Sequence, residues 1–400
     1  MSRAVTSNTV GFVFTHADFS GAPRMGHAWA RACREAGRRV VALTGSPPAP
    51  GSGETSLVER LGALGVEVEV LPGLERAGDP RLLTRVFAWL CRERVGCAVS
   101  VQQATVKLAG WASFAAGVPW IYSSQATPRV AGGPLRRRLK RRALGLSLRR
   151  CARLVVCPSR AVEETLRAEL GLPAARLRYL PNGIEVPPPV SLSPDERAAV
   201  RAELGVGPDE LMLVAVARID PLKAQHLAVE ALAQARLPGP ARLVLIGSVG
   251  VTGLSGHAEY ERALRARVGR LGPGRDLVLP GWREDVPRLL AAADLCLHPS
   301  LTEGACPPLA VSEAMAARLP VVFTDCAGAP DGFQEGVHGF MVATGSLPSL
   351  VQGLERAAAL EPAARVRMGE AARRLVEERL DIRALGRRFL DLLGEAEAST

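Results

Sequence analysis

Short apolar runs alternate with stretches of helical periodicity in two separate series, a pattern that parallel sheets wrapped by helices satisfy and few other architectures do. The first series has apolar runs at residues 10–14, 40–43, 98–101 and 120–122, with a helical stretch around residues 29–36. The second has runs at residues 211–217, 243–246, 277–279, 295–297 and 321–323, each followed by helix-like sequence. Between them lie Pro181-Asn182-Gly183-Ile184-Glu185 and then Pro187, Pro188, Pro189 and Pro194, which cannot continue a central strand or a helix interior. The spacing therefore predicts an α/β chain of two doubly wound, Rossmann-like domains, residues 1–187 and 188–378. Leu385, Phe389 and Leu392 recur at helical spacing, which predicts a closing helix within residues 379–400 that packs back toward the N-terminal domain. Residues 395–400 are expected to fray.

With 400 residues, 48% of them hydrophobic, the chain exceeds what one core normally holds, which agrees with two domains. Its apolar runs are too short to span a bilayer, and residues 1–10 lack the pattern of a secretory signal, so the expected location is the cytoplasm. Eight cysteines are scattered without the two-residue spacing of zinc or redox sites and read as reduced, mostly buried small hydrophobes. No metal-ligand cluster stands out, and no bound metal or cofactor is expected.

The net charge of +10 is concentrated in one stretch. Arg136, Arg137, Arg138, Lys140, Arg141, Arg142, Arg149, Arg150 and Arg153 carry no intervening acid, and without these nine the balance is about +1. The overall charge is thus no argument for nucleic acid as a partner. Leu135, Leu139, Ala143 and Leu146 recur at helical spacing among these cations. The stripe is read as packed on the domain; the alternative is peripheral contact of 135–153 with an anionic membrane surface.

Two segments carry chemistry. In LMLVAVARIDPLKAQHLAVEALA, from Leu211, an apolar strand ends at Arg218, turns through Asp220 and Pro221, and enters a helix near Lys223. Two cations are thereby offered at a strand's C-terminal edge beside a helix N-terminus, an arrangement suited to a diphosphate. Only three of the fifty basic residues are lysines, which singles out Lys223. The competing reading pairs Arg218 with Asp220 and leaves Lys223 in solvent. In HPSLTEGACPPLAVSEAMAARLP, from His298, Glu303 follows an apolar strand in a Gly- and Pro-containing loop, and Glu313 lies one helical stretch later. Carboxylates are pure acceptors, so a pair of them suits sugar and ribose hydroxyls, and Gly304, Ala305 and Cys306 offer backbone amides. The competing reading makes Glu303 a helix cap and Glu313 a surface ion-pair partner.

These segments resemble the retaining glycosyltransferases of family 4. VARIDPLKAQHLAVEALA is similar to that family's phosphate-binding strand, turn and helix, EGACPPLAVSEAMAARLPVV to its glutamate loop and helix, and PNGIE to its interdomain turn. PGWREDVPRLLAAADLCLHPS and AGAPDGFQEGVHGFMV match as well, so the resemblance is specific over residues 155–342. It implies a GT-B fold, two Rossmann-like domains facing across a cleft, and transfer of a hexose from a nucleotide-diphosphate sugar with retention of configuration. By the same resemblance Arg218 and Lys223 hold the donor diphosphate, Glu303 and its loop the sugar, and Glu313 the ribose. Trp282 and Arg283 lie where the family forms its nucleobase pocket; the alternatives are packing for Trp282 and solvent for Arg283. Catalysis without a metal or a protein nucleophile follows from the family's proposed mechanism, in which the leaving phosphate takes the acceptor's proton.

Several positions depart from the pattern. Nine residues separate Glu303 from Glu313, two more than the family's usual spacing, and Val311 stands at the strict position. Arg318 and Asp331 replace a common glycine and glutamate. In the weaker N-terminal half, SGAP stands where the family often has a double glycine, which makes Gly21 the candidate for close approach of the donor, with an ordinary turn glycine as the alternative. Gln125, in IYSSQAT, takes the place of a frequent histidine and cannot become cationic. His16 and Asp18 are candidate acceptor or donor-sugar contacts, surface or capping roles being the alternative. A UDP-sugar is the expected donor, a GDP-sugar the alternative, and the acceptor is a small natural product or a glycan or lipid precursor. Two rivals are a non-catalytic sugar-nucleotide-binding scaffold and a nucleotide-sugar epimerase of the same fold.

Overall fold

The computed structural model describes residues 7–17, 19, 21–47, 56–74, 79–125, 133–248, 257–304 and 306–398. Asp18 and Ala305 lie outside the described residues. The chain divides into two compact units, Met1–Gly183 with Ile382–Thr400, and Ile184–Asp381.

In the first unit, the strands among the described residues are β1 (Thr9–Phe14), β2 (Arg39–Thr44), β3 (Glu67–Val70), β4 (Cys97–Ser100), β5 (Trp120–Ser123), β6 (Leu154–Cys157) and β7 (Leu177–Tyr179). They pair in parallel in the order β3-β2-β1-β4-β5-β6-β7. Strand side chains alternate between faces. Accordingly Val10, Phe12 and Phe14 join one buried layer with the helix Gly21–Glu35, while Val13, Val41 and Leu43 join the other. Both faces are covered, as an all-parallel sheet requires.

The second unit repeats the plan with β8 (Leu211–Val216), β9 (Ala241–Ile246), β10 (Arg275–Gly281), β11 (Leu295–His298), β12 (Val321–Thr324) and β13 (Phe340–Val342). The order is β10-β9-β8-β11-β12-β13, again parallel. Met212 and Val214 face one core layer, Leu213 and Ala215 the other. In each sheet the order of connection reverses once, between β1 and β4 and between β8 and β11. Ligands of doubly wound sheets bind outside the carboxyl ends of strands at such a reversal.

The closing helix, Ile382–Ala398, belongs to the first unit. Phe389 is fully buried and stacks on Trp29 with ring centroids 4.4 Å apart. Fraying from residue 395 does not occur over 395–398: Glu395 pairs with Arg178, Glu397 with Arg38, and Ala396 between them is buried. Two ion pairs and an apolar anchor hold a turn that composition alone left loose.

The helix Pro134–Cys151 overturns another expectation. Leu135, Leu139 and Leu146 are 72%, 57% and 56% exposed, and Ala143 is exposed with them. The side that packs is Ser147, Leu148 and Cys151, with Trp111 Nε1 donating to Ser147 Oγ at 3.2 Å. At about 100° per residue, Leu148 lies on the opposite side of the helix from Leu135, Leu139 and Leu146. Among the described residues no helix is long and apolar enough to cross a membrane.

Candidate functional site

The C-terminal ends of β8 and β11 meet at the reversal of the second sheet. Beyond β8 the backbone stays tied to the end of β9, with Ala217 N donating to Ile246 O and Ile219 N to Ser248 O, both at 3.0 Å. This closeness depends on Gly247, whose φ is +144° and where a Cβ atom would lie 2.1 Å from Ala217 O. Asp220 then makes the turn: its carboxylate accepts from Leu222 N at 2.9 Å and its carbonyl from Lys223 N at 2.8 Å. A 3-10 turn, Pro221–Lys223, and the left-handed Ala224 lead into the helix Gln225–Gln234. Gln225, buried, donates to Arg218 O at 2.7 Å and fixes that carbonyl.

Arg218 Nη2 lies 3.4 Å from Asp220 Oδ2, with the Arg218 side chain 55% exposed. The Asp220 pairing weighed from the sequence is therefore real, and the guanidinium still opens largely to solvent. Lys223 is not solvated. Its ammonium donates to Glu303 Oε1, and the two side chains are only 19% and 12% exposed.

Glu303 reaches Lys223 because Leu301 N donates to Leu222 O at 2.9 Å, which lays the loop after β11 along the turn after β8. Glu303 caps no helix; the following helix, Leu309–Ala316, starts after Pro308 without a side-chain cap. Its second partner is His298, at the end of β11, whose Nε2 is 2.8 Å from Glu303 Oε1 and 3.0 Å from Ser300 Oγ. A carboxylate only accepts, so the imidazole donates to it. Thr324 Oγ1 donates to Ser300 O at 2.6 Å and pins the strand end from β12.

Burial pushes the Glu303 carboxyl up, but the hydrogen bond and charge from His298, followed by the charge and hydrogen bond of Lys223, outweigh it and hold the group at about 2. Glu303 is thus ionised at neutral pH and unsuited to be a general acid. Cys306, nearby in sequence, is buried, and burial pushes its thiol up to about 12, so it is no thiolate nucleophile.

The other candidates divide. Glu313 sits half-buried on the helix Leu309–Ala316, and Gly304 is half-buried on the loop. Trp282 follows β10, at the same sheet edge as Arg218, and is 56% exposed. Arg283 is not left to solvent: its guanidinium grips Asp285 through two bonds of 2.7 and 2.8 Å and Glu203 at 2.6 Å. Two carboxylates thus already engage that cation.

In the first unit His16 follows β1 at the β1/β4 reversal and is exposed. Gln102, beyond β4, accepts from Thr15 N at 2.6 Å and Thr15 Oγ1 at 3.0 Å and so ties the two strand ends together. Gly21 opens the helix Gly21–Glu35, and a Cβ there would meet nothing within 4 Å. Among the described residues nothing crowds that position. Gln125 donates to Ser123 Oγ and accepts from Asn182 Nδ2, each at 2.7 Å. Its amide is held by the Asn182 of the linker motif.

Sequence reasoning missed His298, Ser300, Gln102 and Gly247. A histidine ending an apolar strand five residues before Glu303 was the available signal for the first; Gln102 carried none. Among the described residues no three His, Cys, Asp or Glu side chains converge as a metal site.

Two family models match the chain: "Glycosyl transferases group 1" over residues 196–375 and "Glycosyl transferase 4-like domain" over residues 20–183. Among curated proteins, the D-inositol 3-phosphate glycosyltransferase of Segniliparus rotundus is 34% identical over 165 residues, 39% of this chain and 35% of the relative. That of Mycobacterium sp. strain KMS is 37% identical over 154 residues, 38% of this chain and 33% of the relative. The similarity thus spans about a third of the length of these relatives. Among solved structures, Anabaena HepE in complex with UDP and glucose superposes with a TM-score of 0.80 at 22% identity, covering 97% of this chain and 99% of that one. Sucrose-phosphate synthase from Thermosynechococcus elongatus superposes with a TM-score of 0.74 at 20% identity, covering 98% and 100%.

Proposed function

The chain belongs to the group 1 glycosyl transferases, of the family 4 type with the GT-B fold, and from this premise we propose that it moves a sugar from a nucleoside-diphosphate donor to an acceptor hydroxyl, with retention of configuration. The observation that carries the reading is the pairing of Lys223 with Glu303 at the reversal of the second sheet, with Arg218 largely exposed on the same turn after β8.

In this reading the donor diphosphate lies against Arg218 and Lys223. An ammonium has three protons to donate, and Glu303 takes one, so Lys223 can serve a phosphate oxygen as well. Arg218, largely exposed, offers its fork to the same diphosphate. As the bond from the anomeric carbon to the phosphate oxygen breaks, negative charge builds on the diphosphate, and both cations stabilise it. The acceptor oxygen bonds to the anomeric carbon from the face the diphosphate leaves, and its proton passes to the departing phosphate oxygen. Both contacts to Glu303 fall on Oε1, which leaves Oε2 to accept from a sugar hydroxyl. Glu313 is assigned to the ribose and Trp282 to the base. Arg283, engaged by Asp285 and Glu203, is left out of the donor contacts.

A UDP-sugar is the favoured donor, because the structural neighbour HepE is complexed with UDP, UDP and glucose, and UDP-glucose. The relatives' name makes D-inositol 3-phosphate the first acceptor to try. One observation favours a binding-only scaffold: Gln125, neutral and tied to Ser123 and Asn182, stands where the family often has a histidine. Release of UDP from UDP-sugars, measured with and without D-inositol 3-phosphate, distinguishes the two. Acceptor-dependent release supports transfer. Tight UDP binding with no release from any UDP- or GDP-sugar across an acceptor panel favours the scaffold.

A further inference from the structure

The helix Pro134–Cys151 offers solvent an apolar ridge with cations along both flanks. Leu135, Leu139 and Leu146 form the ridge and are more than half exposed. At about 100° per residue, Arg138 and Arg142 lie to one side of it and Arg136 and Arg150 to the other, all exposed. The helix carries no acid of its own, and its Arg141 pairs with Glu169, at 3.0 Å, on the side turned away from the ridge. Where the helix ends, Phe114 is 45% exposed and lies under the Arg150 guanidinium, 5.3 Å from ring centroid to Cζ.

From this arrangement we infer that the helix Pro134–Cys151 is a docking surface for an anionic lipid bilayer, lying in the plane of the membrane with Leu135, Leu139 and Leu146 in the acyl boundary and the flanking arginines on lipid phosphates. The two halves of the pattern select this occupant together. Arginines alone would suit any polyanion, but a leucine ridge between two rows of cations gains nothing from a nucleic acid and gains burial from lipid. The helix is about 27 Å long, at about 1.5 Å per residue over its 18 residues, enough to set the whole ridge on one surface. The leucine ridge is not packed inside the protein, because the packed side of the helix is Ser147, Leu148 and Cys151. The inference stands apart from the transfer reaction and does not require it.

The test is sedimentation of the full chain with vesicles of phosphatidylglycerol and phosphatidylcholine, against vesicles of phosphatidylcholine alone and against duplex DNA of matched charge. The chain is expected to partition onto the anionic vesicles at least about tenfold more strongly than onto neutral ones, and less so as salt rises. The triple variant Leu135→Ser, Leu139→Ser, Leu146→Ser is expected to lose at least about tenfold of that partition with its thermal unfolding unchanged. A second readout does not depend on that variant: Leu139→Trp should gain blue-shifted fluorescence on anionic vesicles relative to the parent chain. Equal binding to neutral and anionic vesicles, an undiminished partition of the triple variant, DNA binding as tight as vesicle binding, or an unshifted Leu139→Trp would each overturn the proposal.

Discussion

Lys223, in the turn after β8, is ion-paired with Glu303, in the loop after β11, across a separation of eighty residues. The pair joins the two strand ends at the point where the sheet reverses its order, and His298 completes it from the strand itself. In the proposed reading a phosphate-binding cation and a sugar-binding carboxylate are thereby held against each other by the protein itself, an arrangement whose cost of reorganisation on binding is small.

Lys223→Ala should weaken UDP binding by roughly tenfold to a hundredfold, the range that a lost charge-assisted hydrogen bond represents. Lys223→Arg should recover only part of this, because a planar fork does not replace a point charge wedged against Glu303. Isothermal titration of UDP into each variant checks both.

Acid should expose the Glu303 network. The carboxyl is held at about 2, below its ordinary 4.5, so the stability it contributes is fully present above about pH 4.5 and is lost as pH falls towards 2. The contribution is on the order of 3 kcal/mol. Glu303→Gln should therefore be less stable than the parent at neutral pH and converge on it below pH 4.5. Urea unfolding across that range measures the difference.

Gly247→Ala should be one of the more damaging single changes in the second unit. The added Cβ would lie 2.1 Å from Ala217 O at a φ of +144°, which no small shift relieves. A loss of about 2–4 kcal/mol is expected, together with weakened UDP binding, because the collision pushes on the residue next to Arg218. Thermal unfolding and titration with UDP separate the two effects.

Phe389→Ala should destabilise the first unit by about 3–5 kcal/mol, as buried aromatic truncations do. Its ring is fully buried and stacked on Trp29, so the loss should also appear in the indole fluorescence of that residue during denaturant unfolding.

Much of this was legible in the sequence. The central strands of both sheets announce themselves as apolar runs, because parallel strands buried on both faces have no polar alternation to obscure them. The strands that did not announce themselves are mostly short or polar. β3 reads Glu-Val-Glu-Val at an exposed edge, and β7 and β13 are three residues each. Arg218, Lys223 and Glu303 were marked by motif, yet nothing in the spacing shows that Lys223 and Glu303 touch, since that depends on the bond from Leu301 N to Leu222 O. Arg283 illustrates the same boundary. Its pairing with Asp285, two residues on, is readable, whereas Glu203, eighty residues back, comes only from the fold. For the basic helix the periodicity was visible but not its direction; which stripe faces inward is decided by what Ser147, Leu148 and Cys151 find to pack against.

The central claim is that Arg218 and Lys223 form the diphosphate site, and calorimetric titration of UDP, GDP and ADP into the parent chain and into the Arg218→Ala, Lys223→Ala double variant tests it most directly. The account predicts that UDP binds the parent and that the double variant loses this binding by at least about a hundredfold while still unfolding in a cooperative transition. Undiminished UDP binding by a folded double variant, or no binding of any of the three nucleotides by the parent, would contradict it.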